Sequence, residues 1–418
     1  MHKYCGLDFG TSNSAIGVNS HGRCQLVPLQ NDKPIIRSAI FCDNELHEWL
    51  YGQEGIDCYL DGIPGRLMMS IKSVLGSPIM EDETLIFNEM ISYTAILSHF
   101  IQHIKSIAEN KIQHELTQVV IGRPVRFHDN DNKMDAEAQN TLEKIARMVG
   151  FEEVSFQFEP IAAALAYETS ITKEQLALII DMGGGTSDFT IIRLRPGVNK
   201  ANRSDDVLAN CGIHIAGTDF DQALSLETIM PMLGMGSLIK GSSSDIEMPS
   251  MYYYDLTAWH TLNNLYKPAT LAHLRTLHMA AYEKELIARL IHVLKIKAGH
   301  HILHAVEMSK QELSTKTKVI TDISFIEDKL NMLITRETFN GVIAGHLEKI
   351  MSTIQQTVKT AGIVNGDISA IFYTGGTTKI PIIQEKINAL FPNAEIILGD
   401  VFGSVGLGLT IDAQRKYG

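Results

Sequence analysis

The chain has 418 residues, of which 45% are hydrophobic, and its formal net charge at pH 7 is −12. This length supports two or more domains with cores of their own, and the negative charge argues against a nucleic-acid partner. The cysteines are scattered without a Cys-x-x-Cys pair, which argues against a zinc site or a disulfide framework. The sequence shows no signal-peptide or membrane-span pattern, so we expect a cytoplasmic protein with no membrane partner.

The first part of the chain predicts an alternation of strands and helices. Apolar runs predict strands over residues 4–9, 15–18, 25–29 and 39–41, and residues 43–76 show no regular pattern. Apolar residues at helical spacing then predict a long helix over residues 88–111. Further along, we expect a strand over 118–122, a helix over 135–149, a strand over 154–158 and a small-residue helix over 160–169.

The second part begins with a similar order of elements. We expect a strand from residue 176, a helix over 219–230, an irregular stretch over 231–264, helices over 270–315, strands over 319–325 and 330–334, a helix over 339–361 and a strand–Gly-Gly–helix unit over 370–390. The repeated order predicts a duplicated α/β fold of two lobes around a nucleotide cleft. The lobes are predicted over residues 1–175 and 176–418, with a helical subdomain at about 222–362.

Two glycine-rich segments contain the residues that predict a phosphate-binding site. Asp8-Phe9-Gly10-Thr11-Ser12-Asn13 and Asp181-Met182-Gly183-Gly184-Gly185-Thr186 each join two strands. Glycine lets backbone N–H groups approach a phosphate closely. An aspartate at such a turn can hold phosphate only through a divalent cation, which indicates Mg²⁺. Either segment alone could be an ordinary tight turn, but the pair favours two hairpins that grip one nucleotide.

Stretches along nearly the whole chain resemble, in order, the ATPase domain of DnaK-type heat-shock chaperones, in the actin/sugar-kinase superfamily. The most diagnostic is Phe158-Glu159-Pro160-Ile161-Ala162-Ala163-Ala164-Leu165-Ala166-Tyr167. Others are residues 6–14, 71–76, 119–127, 181–188, 216–221, 307–314 and 373–381. The resemblance implies an actin-like ATPase fold that binds ATP or ADP with Mg²⁺.

The resemblance also implies roles for individual residues. Asp8 and Asp181 would hold Mg²⁺, Lys72 would stabilise charge on the γ-phosphate, and Glu159 would position the water of the metal. Thr186 would join them in catalysis. The residues that would bind nucleotide are Gly10, Thr11, Ser12, Asn13, Gly183, Gly184, Gly185, Gly217, Thr218, Asp219, Glu307, Lys310, Gln311, Ser314, Gly375, Gly376, Thr377, Lys379 and Asp400.

The chain departs from the family pattern at the adenosine motifs and in its extent. Gln311 and Lys379 stand where the family has arginines, which predicts weaker or less selective adenine binding. We expect the peptide-binding domain of the family to be absent. A stand-alone form with this layout, together with residues 233–237 and 400–405, resembles the YegD-like group.

The sequence therefore predicts a slow ATPase that changes conformation and signals to an unknown protein partner or client. Two alternatives stay open: a small-molecule kinase of the same superfamily, and a nucleotide-sensing module that does not hydrolyse. Methionines and aromatic residues in the stretch over 230–266 could form a partner surface, although packing of the protein's own core is the more ordinary interpretation.

Overall fold

The computed structural model describes residues 3–128, 131–168, 171–197, 203–241, 244–259, 261–397 and 403–418. In these ranges the strands are β1 (Tyr4–Phe9), β2 (Asn13–Ser20), β3 (Arg23–Leu26), β4 (Ile36–Arg37), β5 (Ala39–Asp43), β6 (Glu48–Tyr51), β7 (Gly65–Met69), β8 (Glu83–Ile86), β9 (Glu89–Ser92), β10 (Gln118–Arg123), β11 (Glu153–Phe158), β12 (Gln175–Met182), β13 (Ser187–Leu194), β14 (Val207–Ile213), β15 (Leu238–Ile239), β16 (Ile246–Glu247), β17 (Lys318–Asp322), β18 (Asn331–Thr335), β19 (Ile368–Thr374) and β20 (Glu395–Ile397).

The α-helices in the same ranges are α1 (Gly52–Leu60), α2 (Tyr93–Ile112), α3 (Asn132–Met148), α4 (Glu159–Glu168), α5 (Gly217–Thr228), α6 (Met251–Leu256), α7 (Pro268–Ala280), α8 (Lys284–Lys295), α9 (Gly299–Leu313), α10 (Arg336–Val342), α11 (Ala344–Thr360), α12 (Pro381–Leu390) and α13 (Ser404–Tyr417). The chain divides into two compact units. Unit 1 comprises Met1–His214, Ser352–Thr378 and Ile387–Gly418, and unit 2 comprises Ile215–Met351 and Lys379–Lys386.

Unit 1 contains two sheets of the same topology. The first runs in the order β11-β10-β1-β2-β3, and the second in the order β20-β19-β12-β13-β14. In each, the central strand pairs with the following strand as an antiparallel hairpin and with a much later strand in parallel. This repeated pairing confirms the predicted duplication of the α/β fold.

Two buried helices of unit 1 pack among both sheets. Residues of α4 and α13 share one apolar cluster with Tyr4 and Val120 of the first sheet and with Ile179 and Phe372 of the second. A Cβ at Gly408 of α13 would collide with the backbone of α4 at Ala162. The cluster therefore depends on close approach of the two helices, which a larger residue would prevent.

Most elements of unit 1 lie where the sequence predicts them, with two corrections. The interpretation of residues 43–76 as irregular is wrong, because β6, α1 and β7 lie there. The long helix begins at Tyr93 instead of residue 88, because residues 89–92 form β9. The Ser92 hydroxyl then caps α2 by accepting a 3.2 Å hydrogen bond from the Ala95 N–H.

Unit 2 is mainly helical. Helices α7, α8 and α9 confirm the helical interpretation of residues 270–315, and β17 and β18 confirm the two predicted strands. The predicted helix over 339–361 is two helices, α10 and α11, which are separated at Ile343. Glycines at 341 and 345 flank this break, and glycine disfavours a continuous helix.

The methionine and aromatic residues of the stretch over 230–266 are divided between the core and the surface of unit 2. Met230, Met248 and Tyr253 are buried, whereas Met251 and Tyr254 are exposed. The partner surface suggested for this stretch is therefore partly the unit's own core.

Candidate nucleotide-phosphate site

The first glycine turn joins β1 to β2 in unit 1. Asp8 pairs with Ala15 across the hairpin, and the Gly10 N–H closes the turn by donating to the Asn13 carbonyl at 3.0 Å. The Ser38 hydroxyl supports the turn from outside by donating to the Gly10 carbonyl at 2.7 Å. Thr11, Ser12 and Asn13 are partly exposed at its tip, where backbone N–H groups could meet a phosphate.

The second glycine turn joins β12 to β13 with the same register. Asp181 pairs with Asp188, and the Gly183 N–H donates to the Thr186 carbonyl at 3.1 Å. Gly185 and Thr186 are exposed. Apart from the glycine and its two chain neighbours, no protein atom lies within 4 Å of the position that a Cβ on Gly185 would occupy, so this position faces open space.

Four charged side chains of unit 1 form one cluster beside these turns. Lys72 Nζ donates to Glu159 Oε1 at 2.8 Å, and both residues are about nine-tenths buried. Lys72 comes from the short 3-10 turn Ile71–Val74, and Glu159 is the first residue of α4. Asp8 and Asp181 interact electrostatically with Lys72 from the two hairpins. The structure thus brings together the four charged residues that the sequence assigned to catalysis and metal binding.

The pKa shifts show that this cluster has an excess of negative charge. Burial raises the pKa of the Asp8 carboxyl to about 8, and the charge of Glu159 acts in the same direction. Burial likewise raises the pKa of Asp181 to about 7, again with Glu159 adding to it. Burial alone would lower the pKa of Lys72, but the carboxylates around it raise that pKa above its ordinary value. The single ammonium group of Lys72 therefore offsets only part of the charge of three carboxyl groups.

A divalent cation fits this donor set. Asp8 and Asp181 offer hard oxygen ligands, and a cation would offset the charge that raises their pKa values. Among the residues that the structure describes, no group of three or more histidine, cysteine or carboxylate side chains is arranged to hold a metal ion. A magnesium ion is usually bound through one or two carboxylates and phosphate oxygens and keeps several waters, so Asp8 and Asp181 would suffice as its protein ligands.

The glycine motif after β19 lies against the second turn. Gly375 has a φ of 78°, and a Cβ there would collide with the Met182 carbonyl. Gly376 opens the 3-10 turn Gly376–Lys379. The Thr377 hydroxyl donates to the Gly183 carbonyl at 2.6 Å. Thr377 therefore supports the second turn, a contact that the predicted adenosine role did not include.

The other predicted nucleotide residues lie mainly in unit 2. Gly217 and Thr218 begin α5, where the Asp219 carboxylate accepts a 2.8 Å hydrogen bond from the Ala216 N–H and so caps the helix. On α9, Lys310 Nζ donates to Asp221 Oδ2 at 2.6 Å and to the Gly217 carbonyl at 2.9 Å. Lys310 thus joins α9 to the start of α5.

The remaining adenosine candidates occupy one helix and two later positions. Gln311 Nε2 donates to Glu307 Oε1 at 3.2 Å on the surface of α9, and Ser314 follows its last turn. Lys379 ends the 3-10 turn after β19. Asp400 lies outside the described residues.

Sequence reasoning missed two residues that shape the site. Asp188 lies opposite Asp181 and raises its pKa. The first hairpin has Ala15 at the matching position, so alignment of the two hairpins could have revealed the extra acid. Ser38, which supports the first turn, comes from the connection before β5, and its contact has no local signal in the sequence.

Comparison with known proteins assigns the chain to a family. The model of the Hsp70 protein family matches residues 72–232 and 288–397, which is more than half of the chain. These ranges include Lys72, Glu159 and the second glycine turn, whereas the first turn precedes them. The chain belongs to the Hsp70 family, whose ATPase domain is an actin-like two-lobed fold.

Similar proteins include two bacterial chaperones. A chaperone protein HscA homolog of Pseudoalteromonas atlantica is 24% identical over 435 residues, covering 99% of this chain and 58% of that protein. The HscA homolog of Histophilus somni is 24% identical over 439 residues, covering 100% of this chain and 59% of that protein. The chain thus spans less than two thirds of the length of these relatives. Family membership supports an ATP-binding, chaperone-like protein.

Each helix in the described ranges is too short or too polar to cross a membrane.

Proposed function

We propose that the chain binds Mg²⁺-ATP at the two glycine turns and hydrolyses it slowly, as a conformational switch that signals to a protein partner. The observation that carries this proposal is the buried Lys72–Glu159 pair, with 2.8 Å between Nζ and Oε1, among the carboxyl groups of Asp8 and Asp181. Family membership supports the same ligand.

The residues of the cluster would divide the work of phosphoryl transfer. Lys72 would neutralise charge that develops on the γ-phosphate, and Glu159 keeps that ammonium group in place. Backbone N–H groups of the two turns would orient the phosphates. Asp8 and Asp181 would hold a magnesium ion through water, and the ion would supply further charge neutralisation. Because this arrangement acts by positioning and charge, we expect slow turnover, which suits a switch.

The adenosine residues that the resemblance implies on α9 have suitable chemistry for that role. Glu307 could accept hydrogen bonds from ribose hydroxyls, while Gln311 offers a flat amide to the base. An amide lacks the charge and the stacking strength of a guanidinium group, so we expect modest selectivity for adenine. The contacts of Lys310 with Asp221 and Gly217 suggest that it acts by orienting α9.

A protein partner is part of this proposal because the relatives are named as chaperone proteins. The cytoplasmic location, the YegD-like grouping, the stand-alone form and the lobe boundary at residue 175 stay predictions.

The test combines titration calorimetry with phosphate release. We expect heat on addition of ATP or ADP with Mg²⁺, and slow release of inorganic phosphate from ATP. Absence of binding heat for both nucleotides would contradict the proposal. Binding without phosphate release would favour the nucleotide-sensing alternative, and transfer of phosphate to an added metabolite would favour the kinase alternative.

A further inference from the structure

Helix α4 connects the phosphate site to a second buried group of charges. Its first residue, Glu159, accepts the hydrogen bond from Lys72, and its last residue, Glu168, has a side chain that is only 2% exposed. At 1.5 Å per residue the helix is roughly 15 Å long. The two carboxylates therefore lie at opposite ends of one rigid element.

Glu168 is held by a dense set of contacts. The Arg203 guanidinium donates to both of its oxygens, at 2.9 Å to Oε2 and 2.7 Å to Oε1. The Arg195 backbone N–H donates to Oε1 at 3.2 Å. Arg203 also pairs with Asp206, and all three ion-paired side chains are at most 3% exposed. A bidentate pair of this kind fixes direction as well as distance.

This arrangement has features that stability alone does not explain. A carboxylate at the C-terminus of a helix opposes the helix dipole, and a buried ion pair often stabilises a fold no better than apolar residues would. Fixing the register of an element is the best-attested use of such pairs. Burial alone would lower the pKa of Arg203, yet its hydrogen bonds to Glu168 and Asp206 raise that pKa, so the guanidinium stays charged.

The middle of α4 is held by close apolar packing. Residues 161–165 are apolar and buried, and three of them are consecutive alanines. A Cβ at Gly408 of α13 would collide with the backbone of α4 at Ala162, so these contacts also locate the helix. The ion pairs at its two ends add contacts of fixed direction.

We propose that Glu168 is a positioning residue, whose ion pair with Arg203 fixes α4 along its axis and so holds Glu159 against Lys72. This inference rests on the proposed ATP hydrolysis, in which Lys72 acts on the γ-phosphate. Glu168 itself contacts neither Lys72 nor the glycine turns in the described contacts, and it acts through the helix.

The first test is Glu168→Gln, which keeps the size of the side chain and removes its charge. We expect kcat for ATP to fall about tenfold, because small displacements of catalytic groups have large effects on rate, while nucleotide Kd changes less than twofold. Arg203→Lys is a second variant that keeps the positive charge but loses the paired hydrogen bonds of the guanidinium group to Glu168. It should also lower kcat. Glu174→Gln is the control, since Glu174 pairs with Arg193 and Arg195 at the exposed side of the same network, and its kcat should stay within twofold.

A double-mutant cycle separates positioning from general damage. In a Glu159→Gln background we expect Glu168→Gln to change kcat less than twofold, because the group through which Glu168 acts has already been altered. An equal loss of kcat in both backgrounds would overturn the proposal. Unchanged kcat in a folded Glu168→Gln protein whose wild type is active would overturn it as well.

A measurement without nucleotide keeps this inference distinct from the proposed function. Absence of phosphate release by the wild type would contradict the proposed hydrolysis alone. The Tm shifts of Glu159→Gln, Glu168→Gln and the double variant then decide the inference. Residues this far apart normally give additive effects, so non-additive shifts would support coupling through α4, and additive shifts would overturn it.

Discussion

The two glycine turns of unit 1 share a register, yet their glycines serve different purposes. Asp8 pairs with Ala15 and Asp181 pairs with Asp188, seven residues later in both hairpins. In the first turn, a Cβ at Gly10 would collide with the carbonyl oxygen of Asn13. In the second, a Cβ at Gly185 would meet no protein atom within 4 Å apart from the glycine and its chain neighbours.

A glycine in such a loop can be required by the protein's own backbone, or it can leave space that the protein itself does not fill. The protein itself requires Gly10, because its own backbone fills the space that a side chain would need. Gly185 has no such internal requirement, and the matching position of the first turn, Ser12, carries a side chain. A methyl group added at Gly185 therefore tests for a ligand, whereas one added at Gly10 tests the fold.

The largest effect should come from removing the ammonium group of Lys72, which interacts with the aspartates of both hairpins. Lys72→Ala should lower the rate of ATP hydrolysis about 100-fold or more, equivalent to roughly 3 kcal/mol, because an electrostatic group at the reacting centre is lost. Single-turnover phosphate release measures this rate, and nucleotide affinity should change far less. Lys105→Ala is the matched control, since Lys105 is similarly buried and is paired with Glu109 on α2. Equal hydrolysis by the Lys72 variant and the wild type would show that the lysine assignment is wrong.

A second variant addresses the first turn. Gly10→Ala should lower the free energy of unfolding by about 1–3 kcal/mol, the range for forcing extra atoms into a packed region. Urea denaturation followed by circular dichroism measures this difference. A variant as stable as the wild type would mean that the turn relaxes easily and that the contrast between the two turns does not hold.

The third variant places the same methyl group in the second turn. Gly185→Ala should change unfolding free energy by less than about 0.5 kcal/mol, as surface substitutions usually do. Its affinity for Mg²⁺-ATP should fall about tenfold, roughly 1.4 kcal/mol, if phosphate occupies the open space. Calorimetry on the folded variant checks this, and wild-type affinity would place the phosphate elsewhere.

The smallest effect concerns the hydroxyl that supports the second turn. Thr377→Val keeps the side-chain shape and removes the hydrogen bond to the Gly183 carbonyl, so unfolding free energy should fall by about 0.5–1.5 kcal/mol. Ser38→Ala removes the corresponding support of the first turn together with the hydrogen bond between the Ser14 and Ser38 hydroxyls, so it should cost at least as much. Thermal melts of both variants, with and without Mg²⁺-ATP, test whether nucleotide compensates the loss only at the second turn.

The parts of the fold that the sequence predicts are those with long, regular patterns. Strands β1, β10, β11 and β12 and the helices of unit 2 follow from apolar runs and helical periodicity. Strands β6 and β7 were missed because they are only four and five residues long, and α1 was missed because glycines at positions 52 and 55 obscure its helical pattern. The start of α2 depends on pairing between β8 and β9, which is a tertiary contact.

Some residues of the candidate site could likewise be predicted from the sequence, and others could not. Asp8 and Asp181 could be proposed from their glycine turns, whereas Lys72 and Glu159 were assigned through the resemblance to DnaK-type chaperones. The roles of Ser38 and Thr377 could not be predicted, since each supports a glycine turn from a distant part of the chain. The pairing of Glu168 with Arg203 likewise joins positions 35 residues apart.

The packing of α13 has a consequence for the order in which the protein is assembled. A Cβ at Gly6 of β1 or Gly17 of β2 would collide with Thr410 of α13, so these strands meet the helix at close range. Cys24 also donates to Gln414 at 3.1 Å. The ribosome makes β1 about 400 residues before α13, which at typical elongation rates is a delay of roughly 20–80 s. The strands that carry the first glycine turn are thus synthesised long before the helix that covers them.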